Sequence, residues 1–165
     1  MNRAYDPLAA LDSPAHAVHE AAHCVVGWHF KLIPCAFVLL ELEDGAATVI
    51  PPQCVVGFEG MVFLAAGAAG HRKYSTRGAI GDGRDRARMA ELAEAILGST
   101  ATPDRVEHLM AEARHQAERL VAIHWDRIVA LACLFAQARV LLPSYPTVGE
   151  GELQKLNRRN EPCAA

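Results

Sequence analysis

The sequence predicts a single, mainly α-helical domain of the α+β class, with one small β-hairpin near the N-terminus. Its 165 residues, 52% of them hydrophobic and 21% charged, are enough for one ordinary domain with a buried core. Apolar residues recur at helical spacing along most of the chain. A strong hairpin turn signal, Asp44-Gly45, separates two extended stretches, Cys35–Leu42 and Ala46–Ile50.

Two of the predicted helices begin at a hydroxyl residue followed by proline. Ser13-Pro14 and Thr102-Pro103 each supply an N-cap side chain and then a proline at the first helical position, where no backbone donor is needed. In chain order, the predicted helices cover about 14–29, 55–72, 85–97, 103–124 and 125–140, and a short last helix ends at 156.

The second predicted helix, Val55–Arg72, is unusually rich in alanine and glycine. Gly60, Gly67 and Gly70 lie inside it, and residues this small let another backbone approach closely. We expect a buried, closely packed helix, followed by a polar, glycine-rich loop over Lys73–Gly83.

Composition excludes several classes of function. The formal net charge is −3, and the densest basic stretch, Arg84, Arg86 and Arg88, alternates with acidic residues as on an exposed helix face. We therefore expect no nucleic-acid partner. The most apolar stretch, around Ile33–Leu42, is too short and too close to charges to span a membrane, which takes roughly 20 residues, and Met1–Asp12 lacks the apolar core of a signal sequence. An odd number of scattered cysteines predicts reduced thiols and a cytoplasmic location. The cysteines are Cys24, Cys35, Cys54, Cys133 and Cys163.

One motif carries recognisable chemistry: His19-Glu20-Ala21-Ala22-His23, an H-E-x-x-H pattern on the first predicted helix. Histidines at i and i+4 share a helical face and suit two corners of a tetrahedral zinc site. Glu20 is placed to take a proton from a water that the metal activates and to pass it to the leaving group. The alternative is a helix that carries two core or solvated histidines.

Other residues near the motif are less suited to bind metal. His29 is six residues after His23 and nearly opposite on the helix, so we expect it to be exposed or to cap the helix. His16, one turn before His19, is interpreted as a helix-surface residue; the alternative is that it contacts one of the residues that bind the metal. Cys24 is expected in the core. The third histidine of the metzincin extension is absent.

The motif and its surroundings resemble a known family. The segment His19–Trp28, H-E-A-A-H-C-V-V-G-W, is similar to the H-E-A-G-H-A-x-x-G segment of FtsH-type ATP-dependent zinc metallopeptidases. Leu64–Ala69 resembles that family's L-G-G-R-A-A-E helix, and Gly78-Ala79 with the acidic residues after it resembles its G-A-S-N-D segment. Residues 106–156 are similar to its two C-terminal helices.

The resemblance implies a helical, zincin-like peptidase fold. It predicts one FtsH-peptidase-like domain over residues 1–165, with an ordered core over about 13–157. The sequence departs from the family pattern at two positions. Ala22 replaces a glycine, and Gly70 stands where the family has a glutamate.

The resemblance also implies that an aspartate is the third zinc ligand. Counting forward from Gly78 gives Asp82, whereas counting back from the helix that follows gives Asp85. We favour Asp85, because the apolar residues of its helix place it on the inward face; Asp82 remains the alternative. These apolar residues are Met89, Leu92, Ala93 and Ile96.

The sequence thus predicts a zinc metalloendopeptidase in which His19, His23 and Asp85 bind Zn²⁺ and Glu20 is the general base. With no nucleotide-binding loop found, we expect either that the substrates are flexible peptides or already unfolded proteins, or that a separate unfoldase partner supplies the motor. A homo-oligomer is the other protein assembly considered. The extended hairpin would pair with the peptide as an added strand. One alternative is a non-catalytic, zinc-containing regulatory or partner-binding module, against which Glu20 argues. Another is a zinc hydrolase of non-peptide substrates.

Overall fold

The computed structural model describes residues 14–32, 55–75 and 83–141, with side chains up to residue 135. These residues form five α-helices and, within the described ranges, no strand, so the described part is mainly α as predicted. The helices are α1 (Pro14–His29), α2 (Gly57–Tyr74), α3 (Gly83–Leu97), α4 (Pro103–Ile123) and α5 (Trp125–Leu141).

Several predicted elements fall outside the described residues and stay predictions. They are the hairpin over 35–50, the final helix through 156 and most of the loop after α2. The zincin-like fold and the extent of the domain stay predictions as well. The loop was predicted to begin at Lys73, which was wrong, because α2 includes Lys73 and Tyr74.

Local chemistry sets the helix ends. Thr102 caps α4, where its side chain accepts a hydrogen bond from the backbone N–H of Arg105 at 3.4 Å, and Pro103 follows as the first helical residue. Gly98 adopts a left-handed φ of +53° directly after α3, a conformation that glycine adopts without strain, and so ends that helix. α2 begins at Gly57 instead of Val55, and the extended Val56 before it offers no side-chain cap.

α2 is the central helix of the described fold and packs against α1, α3 and α4. α1 also packs against α5. Most of α2 is buried, which explains its lack of a polar face. The largest fully buried apolar side chains lie on α2 and α5, and each stabilises the fold by about 1.5–3 kcal/mol relative to exposure. They are Phe63, Phe135, Met61, Ile128 and Leu131.

The crossing of α1 and α2 depends on small residues. A β-carbon added at Gly70 would lie 2.7 Å from the β-carbon of Ala22 and 3.2 Å from the carbonyl oxygen of Val18. Ala22 and Gly70 are the two positions at which the sequence departs from the family pattern, and they face each other across this crossing. The close approach brings α2 against the histidine-bearing face of α1.

Within the described residues, no helix combines the length and the apolar character that crossing a membrane requires.

Candidate metal centre

Two buried histidines of α1 and an aspartate of α3 meet in one cluster. The residues His19 and His23 are 7% and 5% exposed, and Asp85 comes from the first turn of α3. The two histidine Nε2 atoms are 3.1 Å apart. Asp85 Oδ2 lies 3.2 Å from Nε2 of His23 and 3.5 Å from Nε2 of His19. The three atoms form a nearly equilateral triangle, which we call the metal triangle.

The distances between the three atoms of the metal triangle match those between the ligand atoms of a tetrahedral zinc site. Ligand atoms about 2.0–2.1 Å from zinc, at the corners of a tetrahedron, are about 3.3–3.4 Å from one another. The three edges of the triangle, 3.1, 3.2 and 3.5 Å, bracket that value. The cluster could therefore hold a metal ion.

A backbone carbonyl of α2 fixes the ring of His23. Its Nδ1 lies 2.8 Å from the carbonyl oxygen of Phe63. Because a carbonyl only accepts hydrogen bonds, Nδ1 carries a proton and donates it to Phe63. Nε2 is therefore the ring atom that His23 contributes to the metal triangle. Metal-binding histidines usually donate their other ring N–H to a protein acceptor in this way.

The surroundings of the two histidines shift their pKa values in opposite directions. Burial lowers the pKa of His19 below its ordinary value, and the nearby Asp85 only partly offsets this. Burial acts on His23 as well, but the hydrogen bond and the charge of Asp85, followed by the charge of Glu20, outweigh it and raise the pKa of His23.

The carboxylate of Asp85 stays ionised in this setting. Although burial opposes ionisation, hydrogen bonds with His19 and His23 hold the pKa of Asp85 well below its usual range. The ionised Asp85 carboxylate therefore faces the Nε2 atoms of both His19 and His23. A metal ion would bond to all three atoms at once, so the donor set fits a divalent cation better than a proton.

Gly67 of α2 lies directly against the metal triangle. A β-carbon at this position would come within 2.3 Å of Nε2 of His23 and 2.4 Å of Nε2 of His19. Every other residue type would place an atom against both nitrogens. The sequence predicted that another backbone would approach the glycines of α2. At Gly67 the groups that approach are instead the imidazole rings of His19 and His23.

Glu20 lies beside the cluster. It is partly buried, and its charge contributes, after the hydrogen bond and the charge of Asp85, to raising the pKa of His23. His71, which the sequence analysis did not single out, lies here as well. This α2 residue is 2% exposed and close enough to His19 that its charge contributes to lowering the pKa of His19.

The remaining candidates lie away from the metal triangle or outside the described residues. His29 is exposed, as predicted, and its Nδ1 lies 3.3 Å from Nε2 of His124. Cys24 is fully buried in the core, as predicted, and His16 is partly buried outside the cluster. Asp82 lies outside the described residues, so the structure brings Asp85 to the histidines without testing the alternative.

Comparison with protein-family models gave no match, and neither the curated proteins nor the solved structures contain a match. The resemblance to FtsH-type peptidases therefore depends on the sequence motifs alone.

Proposed function

We propose that this protein is a zinc-dependent metallopeptidase. The observation that carries the proposal is the metal triangle of His19, His23 and Asp85, with Glu20 beside it on the same helix. Two imidazoles and one carboxylate are ligands that zinc favours. Three protein ligands are typical of catalytic zinc sites, whereas structural sites usually have four.

Each residue of the site has a distinct role in this proposal. His19, His23 and Asp85 hold the ion, and the carbonyl of Phe63 keeps the ring of His23 in place. When bound, zinc supplies a Lewis acid that lowers the pKa of a water to about 7 and polarises the substrate carbonyl. Glu20 accepts the proton that the water loses and donates it to the nitrogen of the leaving amine. One water is consumed, and one carboxyl group and one amine are formed.

A second candidate is a zinc-containing module without catalytic activity. The deep burial of both histidines favours it, because structural sites are closed to solvent. Asp85 argues for the peptidase, because its side chain is 26% exposed and opens one side of the cluster. Glu20 argues in the same direction, since a structural site has no use for a base beside its ligands.

The proposal is tested by replacing the base without touching the ligands. The zinc-loaded protein should cleave a labelled unfolded protein, and Glu20→Gln should reduce the rate by at least about 100-fold while zinc stays bound. Glu94→Gln, an exposed glutamate of α3, is the matched control and should retain full activity. Zinc binding without cleavage would favour the second candidate, and the absence of zinc binding would reject both.

A further inference from the structure

A cavity of about 310 Å³ lies beside the metal triangle, between α2, α3 and α4. Among the described residues, three arginines line it, one from each helix: Arg72, Arg86 and Arg114. We call it the arginine cavity. Asp85 and Glu107 also contribute to its wall, together with apolar side chains of α2 and α3. Its volume is at the lower end of the roughly 300–1,000 Å³ range of small-molecule sites.

Asp85 belongs both to the metal triangle and to the wall of the arginine cavity. The side chain of Asp85 is 26% exposed, compared with 8% for His19 and 7% for His23. Of the three triangle residues, Asp85 is the one that lines the cavity. A molecule bound at the metal can therefore extend along Asp85 towards the arginines.

The arginine cavity carries an excess of positive charge once a metal engages Asp85. Glu107 pairs with Arg114, and Glu118 pairs with Arg72 at 3.0 Å. Both pairs are substantially exposed, so solvent screens them and they can exchange partners. Three arginines and the two positive charges of a zinc ion then face two glutamates and Asp85, which leaves an excess of two positive charges.

Guanidinium groups recognise a particular chemistry. Their planar donors match the two oxygens of a carboxylate, and such hydrogen bonds are stronger than those between neutral groups. Arg86 is the best placed of the three for an external ligand. It is exposed, it neighbours Asp85 in sequence, and its positive charge reaches Glu107.

We propose that the arginine cavity binds a carboxylate of the peptide substrate while the peptide lies at the metal. This inference rests on the proposed peptidase function. The carboxylate comes either from an acidic side chain near the cleaved bond or from the C-terminus of the peptide. In both cases the protein binds peptides that carry this carboxylate more tightly than neutral peptides, because the carboxylate contacts Arg86, Arg72 and Arg114.

The test measures binding to the zinc-loaded Glu20→Gln protein, which would hold peptides without cleaving them. The probes are short fluorescent alanine-based peptides in three forms: with one glutamate and an amidated C-terminus, with glutamine and a free C-terminus, and with glutamine and an amidated C-terminus. At least one carboxylate form should bind about tenfold more tightly than the neutral form. The carboxylate form that does so identifies the source.

Variants of Arg86 separate a specific contact from a general charge effect. Adding Arg86→Gln should reduce the preference to about twofold or less, and Arg72→Gln should lower it in the same direction. Arg88→Gln removes an equal charge from the same helix outside the cavity and should leave the preference intact. Melting temperatures confirm that each variant is folded.

The inference is overturned if the neutral peptide binds as tightly as both carboxylate forms, if no peptide binds, or if Arg88→Gln has the same effect as Arg86→Gln. Cleavage of unfolded proteins by the protein with Glu20 intact is measured in parallel. Cleavage without a carboxylate preference would reject the cavity's role alone. An Arg86-dependent preference without cleavage would reject the peptidase function alone.

Discussion

Gly67 of α2 lies so close to His23 of α1 that a β-carbon on Gly67 would come within 2.3 Å of the imidazole Nε2. The backbone of the central helix thus lies directly against the Nε2 atom that His23 contributes to the metal triangle. It makes Gly67 part of the site, although glycine has no side chain with which to bind an ion.

Gly67→Ala should therefore damage metal binding. The added methyl group must displace both imidazoles, and moving His23 breaks its hydrogen bond to Phe63. We expect zinc affinity to fall by about 10- to 100-fold, the range seen when supporting groups around a metal are lost. Competition with a chromophoric chelator measures the affinity. Gly83→Ala, at which a β-carbon would meet nothing within 4 Å, is the control. Wild-type affinity in Gly67→Ala would show that the histidines do not bind the ion here.

Ala22 and Gly70 should be energetically coupled. Gly70→Ala forces a β-carbon to 2.7 Å from that of Ala22, and overpacking of this kind costs about 1–3 kcal/mol of unfolding free energy. Ala22→Gly opens the space again, so the double variant should be more stable than the sum of the single effects predicts, by about 1 kcal/mol. Urea denaturation of the four proteins gives the coupling. If the two changes in unfolding free energy were strictly additive, the side chains at positions 22 and 70 would not be packed against each other at this crossing.

Asp85 and Asp82 are distinguished by removing one carboxylate charge at a time. Asp85→Asn keeps the size of the side chain but removes the anionic ligand, and we expect zinc affinity to fall at least about tenfold. Asp82→Asn should leave the affinity within about twofold of the wild type. Asp126→Asn, an exposed aspartate in the first turn of α5, controls for the loss of a charge. The opposite ranking of the two variants would assign the third ligand to Asp82.

Zinc binding should weaken as the pH falls. Although burial opposes it, the hydrogen bond to Asp85 raises the pKa of His23, so a proton on this residue competes with the ion from a higher pH than on an ordinary histidine, whereas the lowered pKa of Asp85 keeps that carboxylate ionised. The ion displaces the His23 proton, so affinity should decrease as the pH falls through the pKa of His23. Calorimetry in buffers of different ionisation enthalpy should show proton release that grows as the pH is lowered from about 8 to about 6. An enthalpy that is independent of the buffer at every pH would contradict this assignment.

The sequence predicted the elements and contacts that depend on neighbouring residues. α1 was predicted within its observed bounds, and the cap of Thr102 was found where the sequence placed it. The pairing of His19 with His23 follows from helical periodicity alone. These features needed no knowledge of how the helices pack.

Features that depend on distant parts of the chain were harder to predict. Asp85 is 62 residues from His23, so the family resemblance was needed to point to an aspartate, and helical periodicity then favoured Asp85 over Asp82. The hydrogen bond between His23 and the carbonyl of Phe63 could not be predicted, because every residue has a backbone carbonyl and the sequence does not show which one lies beside the ring. The role of Gly67 depends on the crossing of two helices, and the arginine cavity depends on three helices brought together by packing.

Removal and return of the metal test the central claim most directly. We expect the purified protein, stripped by a strong chelator, to lose its cleavage of a labelled unfolded protein. Activity should return fully after addition of one equivalent of zinc per chain. Cleavage that persists without metal, or a stripped protein that takes up no zinc, would contradict the account.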